Sequence, residues 1–228
     1  MRGRIYERRC DLSPDGKHFI YFAMNGRWDS ETKGAWTAIS RTPYLKAVTL
    51  LAKGDCWQGG GLFSSNKSYW LNGGQGHTTL QDSREVRRDS TFTPSANYGA
   101  ECKGVYYLRL LRDGWKLVKQ VNESKWRDVD VFEKSLRGGW VLRKFAHAEI
   151  GSPPGKGCYW DEHEIEHAAS ATIIPCPEWE WAEVDRNWIV WVAGGQLWAG
   201  YLRRKELCDM KMLHDFNDMK FEAIAAPY

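Results

Sequence analysis

The sequence predicts an all-β fold, and within that class a single small β-propeller of five four-stranded blades. Two features of the chain predict it. Its 228 residues include 13 Trp, 10 Tyr and 8 Phe, and large aromatic side chains favour strands and pack well between sheets. Short aromatic strands also recur along the chain between turns rich in Gly, Asp, Asn and Ser, which is typical of repeated antiparallel sheets.

The turns recur at a spacing that fits propeller blades. If those near Asp15, Ser65, Lys103, Lys156 and Arg186 are equivalent, their mean separation is roughly 43 residues, the length of one four-stranded blade. The separations are uneven, so four or six blades stay open as alternatives. On this interpretation the segment 103–112 is one more strand, ending at the turn before Trp115.

A short segment carries a resemblance to known propellers. "LSPDGKHFIYF", from Leu12 to Phe22, resembles the SPDG blade signature of TolB-like and WD40-like β-propellers. The resemblance covers one blade and implies a fold, not an activity. Propellers usually close their ring by pairing strands from both chain ends. We expect Met219–Ile224 to pair with the N-terminal strand, so that residues 1–228 form a single domain.

Charge and hydropathy argue against several classes of partner. The net charge is +3 and acids interrupt the basic clusters, whereas a nucleic-acid binder usually concentrates its basic residues on one face. No apolar run approaches the roughly 18 residues of a membrane span. The six cysteines form no C-x-x-C pair and no apolar leader segment is present, which favours reduced thiols and a cytoplasmic protein. We therefore expect neither nucleic acid nor membrane as a partner.

The segment "HEIEH" matches the short signature of zinc peptidases. On a helix, His163 and His167 would share one face and hold a zinc ion, with Glu164 as the general base. A third ligand is also required, and Glu178 and Glu183 lie at suitable distances along the chain.

The surroundings of this motif favour another interpretation. Prolines at positions 153, 154, 175 and 177 bracket it and leave little room for a long helix, while Glu183 falls on a predicted strand. We interpret the segment as an acidic strand end or loop whose histidines hold no ligand. Zinc bound by His163 and His167 stays an alternative.

Most of the aromatic residues are expected to pack between sheets, but four tryptophans fall in connections or at strand ends. These are candidates for contact with a ligand, because an exposed ring gives a large contact area at little entropic cost. They are Trp57, Trp126, Trp179 and Trp181.

A fold of this class does not fix a function. Without a recognisable catalytic set, we expect a non-enzymatic module that binds a protein or peptide on a propeller face. The first alternative is a propeller that binds a carbohydrate or another small polar ligand. The second is a zinc-dependent hydrolase that uses His163, Glu164 and His167.

Overall fold

The computed structural model describes residues 3–99, 101–124, 127–203, 205–220 and 222–228, and for residues 122–124 it describes the backbone alone. The chain groups into two compact units: unit 1 consists of Met1–Asp113 and Ile224–Tyr228, and unit 2 of Gly114–Ala223. The expectation of a single domain over residues 1–228 stays a prediction. Strands dominate both units, which confirms the prediction of a mostly β protein.

Unit 1 contains two sheets and one helix among its described residues. Sheet 1 has the strand order β1-β3-β4-β5-β8, with β2 also paired to β3, and sheet 2 has the order β6-β7-β9. The elements are β1 (Arg4–Ile5), β2 (Asp11–Leu12), β3 (His18–Met24), β4 (Ala35–Arg41), β5 (Ala47–Ala52), β6 (Gly61–Ser65), β7 (Ser68–Leu71), β8 (Thr78–Gln81), β9 (Arg87–Arg88) and α1 (Lys103–Arg112).

Sheet 2 lies between sheet 1 and α1. Successive side chains of a strand point to opposite faces of its sheet. In β6, Phe63 therefore packs against Ile20 and Ile39 of sheet 1, while its neighbour Leu62 packs against α1. The turns predicted near Asp15 and Ser65 are present, because β2 pairs with β3 and β6 pairs with β7 across them.

The helix α1 replaces a predicted strand, so that prediction is wrong. Val105, Tyr106 and Tyr107 favour strands. However, Val105 and Leu108 are three residues apart, so on a helix they share one face, which packs against Leu62. Gly114 follows the helix with a φ of 89°, a common conformation after a helix. Lys103 thus begins a helix, and its equivalence to the other turns is wrong as well.

An ion pair holds α1 to the strands. The side chain of Asp11 is 4% exposed, and its carboxylate accepts hydrogen bonds from both terminal nitrogens of Arg112 at 2.6 and 2.9 Å. The same carboxylate accepts the backbone N–H of Phe63 at 2.8 Å. Such bidentate pairs fix orientation as well as adding energy. Asp11 therefore connects β2, β6 and α1.

The predicted closure by paired terminal strands is wrong for the described residues. β1 pairs with the end of β3, and the described part of Met219–Ile224 forms no strand. The N-terminal segment already occupies the edge of β3. The chain end is held by a side chain instead: the Tyr228 ring lies over the Arg41 guanidinium, and its hydroxyl donates to the carbonyl oxygen of Lys46 at 2.8 Å.

Unit 2 contains two antiparallel sheets in which consecutive strands are neighbours. Sheet 3 has the order β10-β11-β12-β13-β14 and sheet 4 the order β15-β16-β17-β18. The strands are β10 (Lys116–Ser124), β11 (Arg127–Ser135), β12 (Trp140–Glu149), β13 (Tyr159–His167), β14 (Thr172–Pro175), β15 (Trp181–Asp185), β16 (Trp188–Ala193), β17 (Gln196–Arg203) and β18 (Glu206–Asp215). The turn predicted near Arg186 joins β15 to β16, and a turn at Gly194-Gly195 joins β16 to β17.

In the described part of the chain, no helix is long and apolar enough to cross a membrane. Helical structure is confined there to α1 and four 3-10 turns, at Glu7–Arg9, Gly74–Gly76, Arg137–Gly139 and Ala168–Ser170.

We expect Arg112→Ala to lower the free energy of unfolding of unit 1 by about 3 kcal/mol, because it leaves the buried carboxylate of Asp11 without its counter-charge. The measurement is urea unfolding followed by circular dichroism. Arg27→Ala is the matched control, since Arg27 is exposed and an exposed substitution usually changes stability by less than about 0.5 kcal/mol. Equal stability of the two variants would show that the ion pair does not hold α1.

Candidate functional site

The HEIEH segment lies on β13, inside sheet 3, between β12 and β14. On a strand, residues four apart share a face but stand about 13 Å apart along the chain direction. His163 and His167 are therefore too far apart to be ligands of one metal ion, and the helical arrangement of a zinc peptidase is not formed. No cluster of three or more His, Cys, Asp or Glu side chains with metal-binding geometry occurs among the described residues.

His163 is a buried, neutral residue of unit 2. It is 4% exposed, and its Nδ1–H donates to the carbonyl oxygen of Trp179 at 3.1 Å. Burial, helped by the nearby Lys144 ammonium, lowers the pKa of His163 to about 3, although Asp161 and the Trp179 carbonyl oppose that shift. Its Nε2 has no hydrogen-bond partner among the described residues.

Glu164 and His167 are engaged in other contacts. Arg143 lies opposite Glu164 on β12 and donates to its carboxylate at 2.8 Å. Arg143 also pairs with Glu133 and Glu166. The two ring nitrogens of His167 lie 2.7 Å from the Ser170 hydroxyl and 3.1 Å from the Gly138 carbonyl oxygen. Glu164 is thus part of an ion-pair network on one face of sheet 3.

Three of the four candidate tryptophans lie among the described residues, and their surroundings differ. Trp57 is 54% exposed in unit 1, and Trp181 is 39% exposed at the start of β15 in unit 2. Trp179 is 8% exposed and its ring stacks on that of Trp191, with centroids 4.7 Å apart, so little of its surface is left for a ligand. Trp126 lies outside the described residues.

A cavity in unit 1 gathers side chains that the sequence did not mark as a site. Its volume is about 530 Å³, within the range of small-molecule sites. Three aromatic rings line it, those of Trp70 on β7 and of Phe92 and Tyr98 in the segment between β9 and α1. Trp70 and Tyr98 also pack against Val105 and Leu108 of α1. Because β7 alternates, Tyr69 enters the core and Trp70 faces the cavity.

Amide side chains provide polar groups in the same cavity. Asn72, Gln75 and Asn97 line it together with Gln58. An amide both donates and accepts hydrogen bonds, so these residues suit a ligand that carries hydroxyl groups. The segment "LNGGQGH" supplies one wall of the cavity.

The charged groups of the cavity are not equivalent. Asp89 accepts hydrogen bonds from the hydroxyls of Thr91 and Ser64 and from two backbone N–H groups, and these bonds lower its pKa to about 2. Its carboxylate is therefore ionised and holds the loop that follows β9. Arg88 is exposed, and its guanidinium donates to the Gly74 carbonyl oxygen at 3.4 Å. Compared with Asp89, Arg88 is therefore more available to contact a ligand.

The buried Arg9 and the half-buried His77 position the walls. Arg9 is 3% exposed and donates to the carbonyl oxygens of Cys56 and Gln58 at 2.7 and 2.5 Å. The ring nitrogens of His77 lie 3.1 Å from both the Gly73 carbonyl oxygen and the Thr37 hydroxyl. Burial lowers the pKa of His77 to about 4. At neutral pH its Nδ1–H therefore donates to Gly73 and its Nε2 accepts from Thr37.

Comparison with family models, with curated proteins and with solved structures found no match to this chain.

We expect His163→Asn to reduce the acid sensitivity of unit 2. The ordinary pKa of histidine is 6.5 and that of folded His163 is about 3, so between these values the unfolded chain binds a proton that the folded chain does not. The free energy of unfolding therefore falls as the pH drops below about 6.5, with a slope of up to about 1.4 kcal/mol per pH unit from this one group.

The measurement is urea unfolding of wild type and variant at pH 7, 6 and 5. Asparagine can still donate to the Trp179 carbonyl oxygen but does not titrate, so the variant should lose less stability towards pH 5 than wild type. The same slope in both proteins would contradict a buried neutral His163.

Proposed function

We propose that unit 1 is a binding module for a small hydroxyl-rich ligand, and that this ligand is a carbohydrate. The observation that carries the proposal is the convergence of Trp70, Phe92 and Tyr98 with amide side chains in one cavity. A sugar ring has an apolar C–H face and a rim of hydroxyl groups. Aromatic rings can pack against the face, and amides can exchange hydrogen bonds with the rim.

The surroundings of the cavity support a preformed site. The Trp70 and Phe92 rings are in contact, with centroids 5.6 Å apart, and Tyr98 meets Tyr107 of α1 edge to face at 5.2 Å. Rings that are already held in place lose little entropy when a ligand binds. The ion pair of Asp11 and Arg112 supports the same wall, because it fixes α1.

We expect Trp70→Leu to weaken carbohydrate binding at least tenfold, which corresponds to about 1.4 kcal/mol, because the substitution removes the largest ring of the cavity. The measurement is a titration with a panel of neutral mono- and oligosaccharides, followed by the NMR signals of the tryptophan indoles. Phe92→Leu is a second variant for the case that Trp70→Leu disturbs the packing of α1.

Trp57→Leu is the matched control. The substitution removes an exposed tryptophan of the same unit that does not line the cavity. The variant should therefore bind carbohydrate as tightly as wild type. Absence of saturable binding by any sugar to wild type would refute the proposal. If the Trp57 and Trp70 variants lost affinity for the sugar equally, the sugar would not bind in the cavity.

We propose a protein or peptide partner for unit 2 as a second function, because of the exposed edge of sheet 4. Among the described residues, β18 pairs with β17 alone, and it exposes Met210, Met212 and Leu213. An edge strand offers backbone hydrogen bonds to an added strand, and apolar side chains along it give such a strand contacts. Methionine side chains adapt readily to different partners.

We expect peptides selected by display on the intact chain to lose binding when Met212 is changed to Asp, because the substitution places a charge in the middle of this edge. Met219→Asp is the control, since Met219 is 66% exposed but lies outside β18. Fluorescence anisotropy of a selected peptide measures the difference. A selection that yields no binder, or binders indifferent to Met212→Asp, counts against this function.

We also propose that the antiparallel sheets are blades of one β-propeller. The support is that three of them, sheets 1, 3 and 4, contain four or more mainly antiparallel strands, as blades do. An experimental structure tests this by whether the sheets surround one common axis.

A further inference from the structure

Unit 2 contains a second cavity, which neither of the proposed functions uses. Its volume is about 610 Å³. Arg137 and its neighbours in the turn after β11 form one wall, the turn between β15 and β16 forms another, and the end of β17 forms a third. Three arginines, Arg137, Arg186 and Arg203, line it from these three places.

The positive charge of this cavity has little compensation. No acidic residue lines it in the described part of the chain. Arg137 and Arg186 form no ion pair with any described residue. The Arg203 guanidinium lies 5.9 Å from the centre of the Tyr201 ring, and its one ion pair with a described residue is a contact of 3.8 Å with Asp209, in which both side chains are mostly exposed. Contacts of that kind contribute little. Arg143 of the same unit differs, because three carboxylates compensate its positive charge.

The backbone at Arg186 has a conformation that is uncommon for a residue other than glycine. β15 and β16 pair Asp185 with Trp188, which leaves Arg186 and Asn187 as a two-residue turn. Arg186 has a φ of 56°, in the left-handed region that glycine or asparagine adopts at lower cost. A residue held in such a conformation often belongs to a binding site.

We propose that this cavity binds the phosphate groups of a small polyphosphate ligand. A guanidinium presents paired N–H donors that match two oxygens of a phosphate, and three of them can neutralise several negative charges together. The hydroxyls of Ser135 and Tyr201 and the amide of Asn187 line the same space and can complete the hydrogen bonding. The ligand is a small molecule, because the charge is gathered in one cavity and not spread along a face.

The test is calorimetric titration of the intact chain with tripolyphosphate, and with citrate as a carboxylate of similar charge. We expect saturable binding of tripolyphosphate that is at least tenfold tighter than that of citrate and that weakens with added salt. Arg137→Gln and Arg186→Gly should each weaken it at least tenfold. Lys211→Gln, which removes one exposed charge of β18 outside the cavity, should leave the affinity within twofold of wild type.

Arg186→Gly separates binding from folding. Glycine adopts the positive φ of this turn without strain, so the melting temperature of the variant without ligand should equal or exceed that of wild type, while the same concentration of tripolyphosphate should raise it less than in wild type. Absence of saturable tripolyphosphate binding, equal affinity for citrate, or unchanged affinity in the two arginine variants overturns the proposal. Because the cavity belongs to unit 2, none of these outcomes decides whether unit 1 binds a sugar.

Discussion

The buried carboxylate of Asp11 is the group on which the arrangement of unit 1 depends. A charge that is removed from water must be matched by hydrogen bonds and a counter-charge. Here the partners come from different parts of the chain, the guanidinium of Arg112 on α1 and the backbone N–H of Phe63 on β6. A shift of α1 or of β6 would leave the carboxylate unsatisfied. The need to keep the Asp11 carboxylate hydrogen-bonded and paired therefore fixes α1 relative to both sheets of the unit.

A second buried charge, two residues earlier, acts on the other side of the cavity. Arg9 holds the carbonyl oxygens of Cys56 and Gln58, and its Nε donates to the thiol sulfur of Cys102, just before α1. Its guanidinium also lies 4.8 Å from the centre of the Phe22 ring. Apolar packing alone tolerates small displacements, whereas hydrogen bonds to a buried ion specify direction. The N-terminal segment thus positions a site to which it contributes no lining residue.

Local patterns predicted the elements whose signals are themselves local. The SPDG turn and the following strand, the Asp185-Arg186-Asn187 turn and the Gly194-Gly195 turn all appear where the sequence indicates them. Elements that depend on a distant partner were missed. The strand formers Val105, Tyr106 and Tyr107 lie at the start of α1, and the segment is helical because one of its faces meets Leu62 and another side chain meets Asp11. Trp179 looked exposed because its stacking partner, Trp191, lies on a later strand.

The two cavities show why composition is a weak guide to sites. The net charge of +3 and the mixed charge runs argue against a broad basic face, and they are compatible with a single cavity whose arginines have little ion pairing. Arg143 and Arg186 contribute equally to the composition, but three carboxylates compensate the first, while a strained turn places the second beside two other arginines. Only the placement of neighbouring elements separates a structural charge from one that is free to bind a ligand. The same holds for the aromatic rings of unit 1, where alternation along β7 sends Tyr69 into the core and its neighbour Trp70 to the cavity.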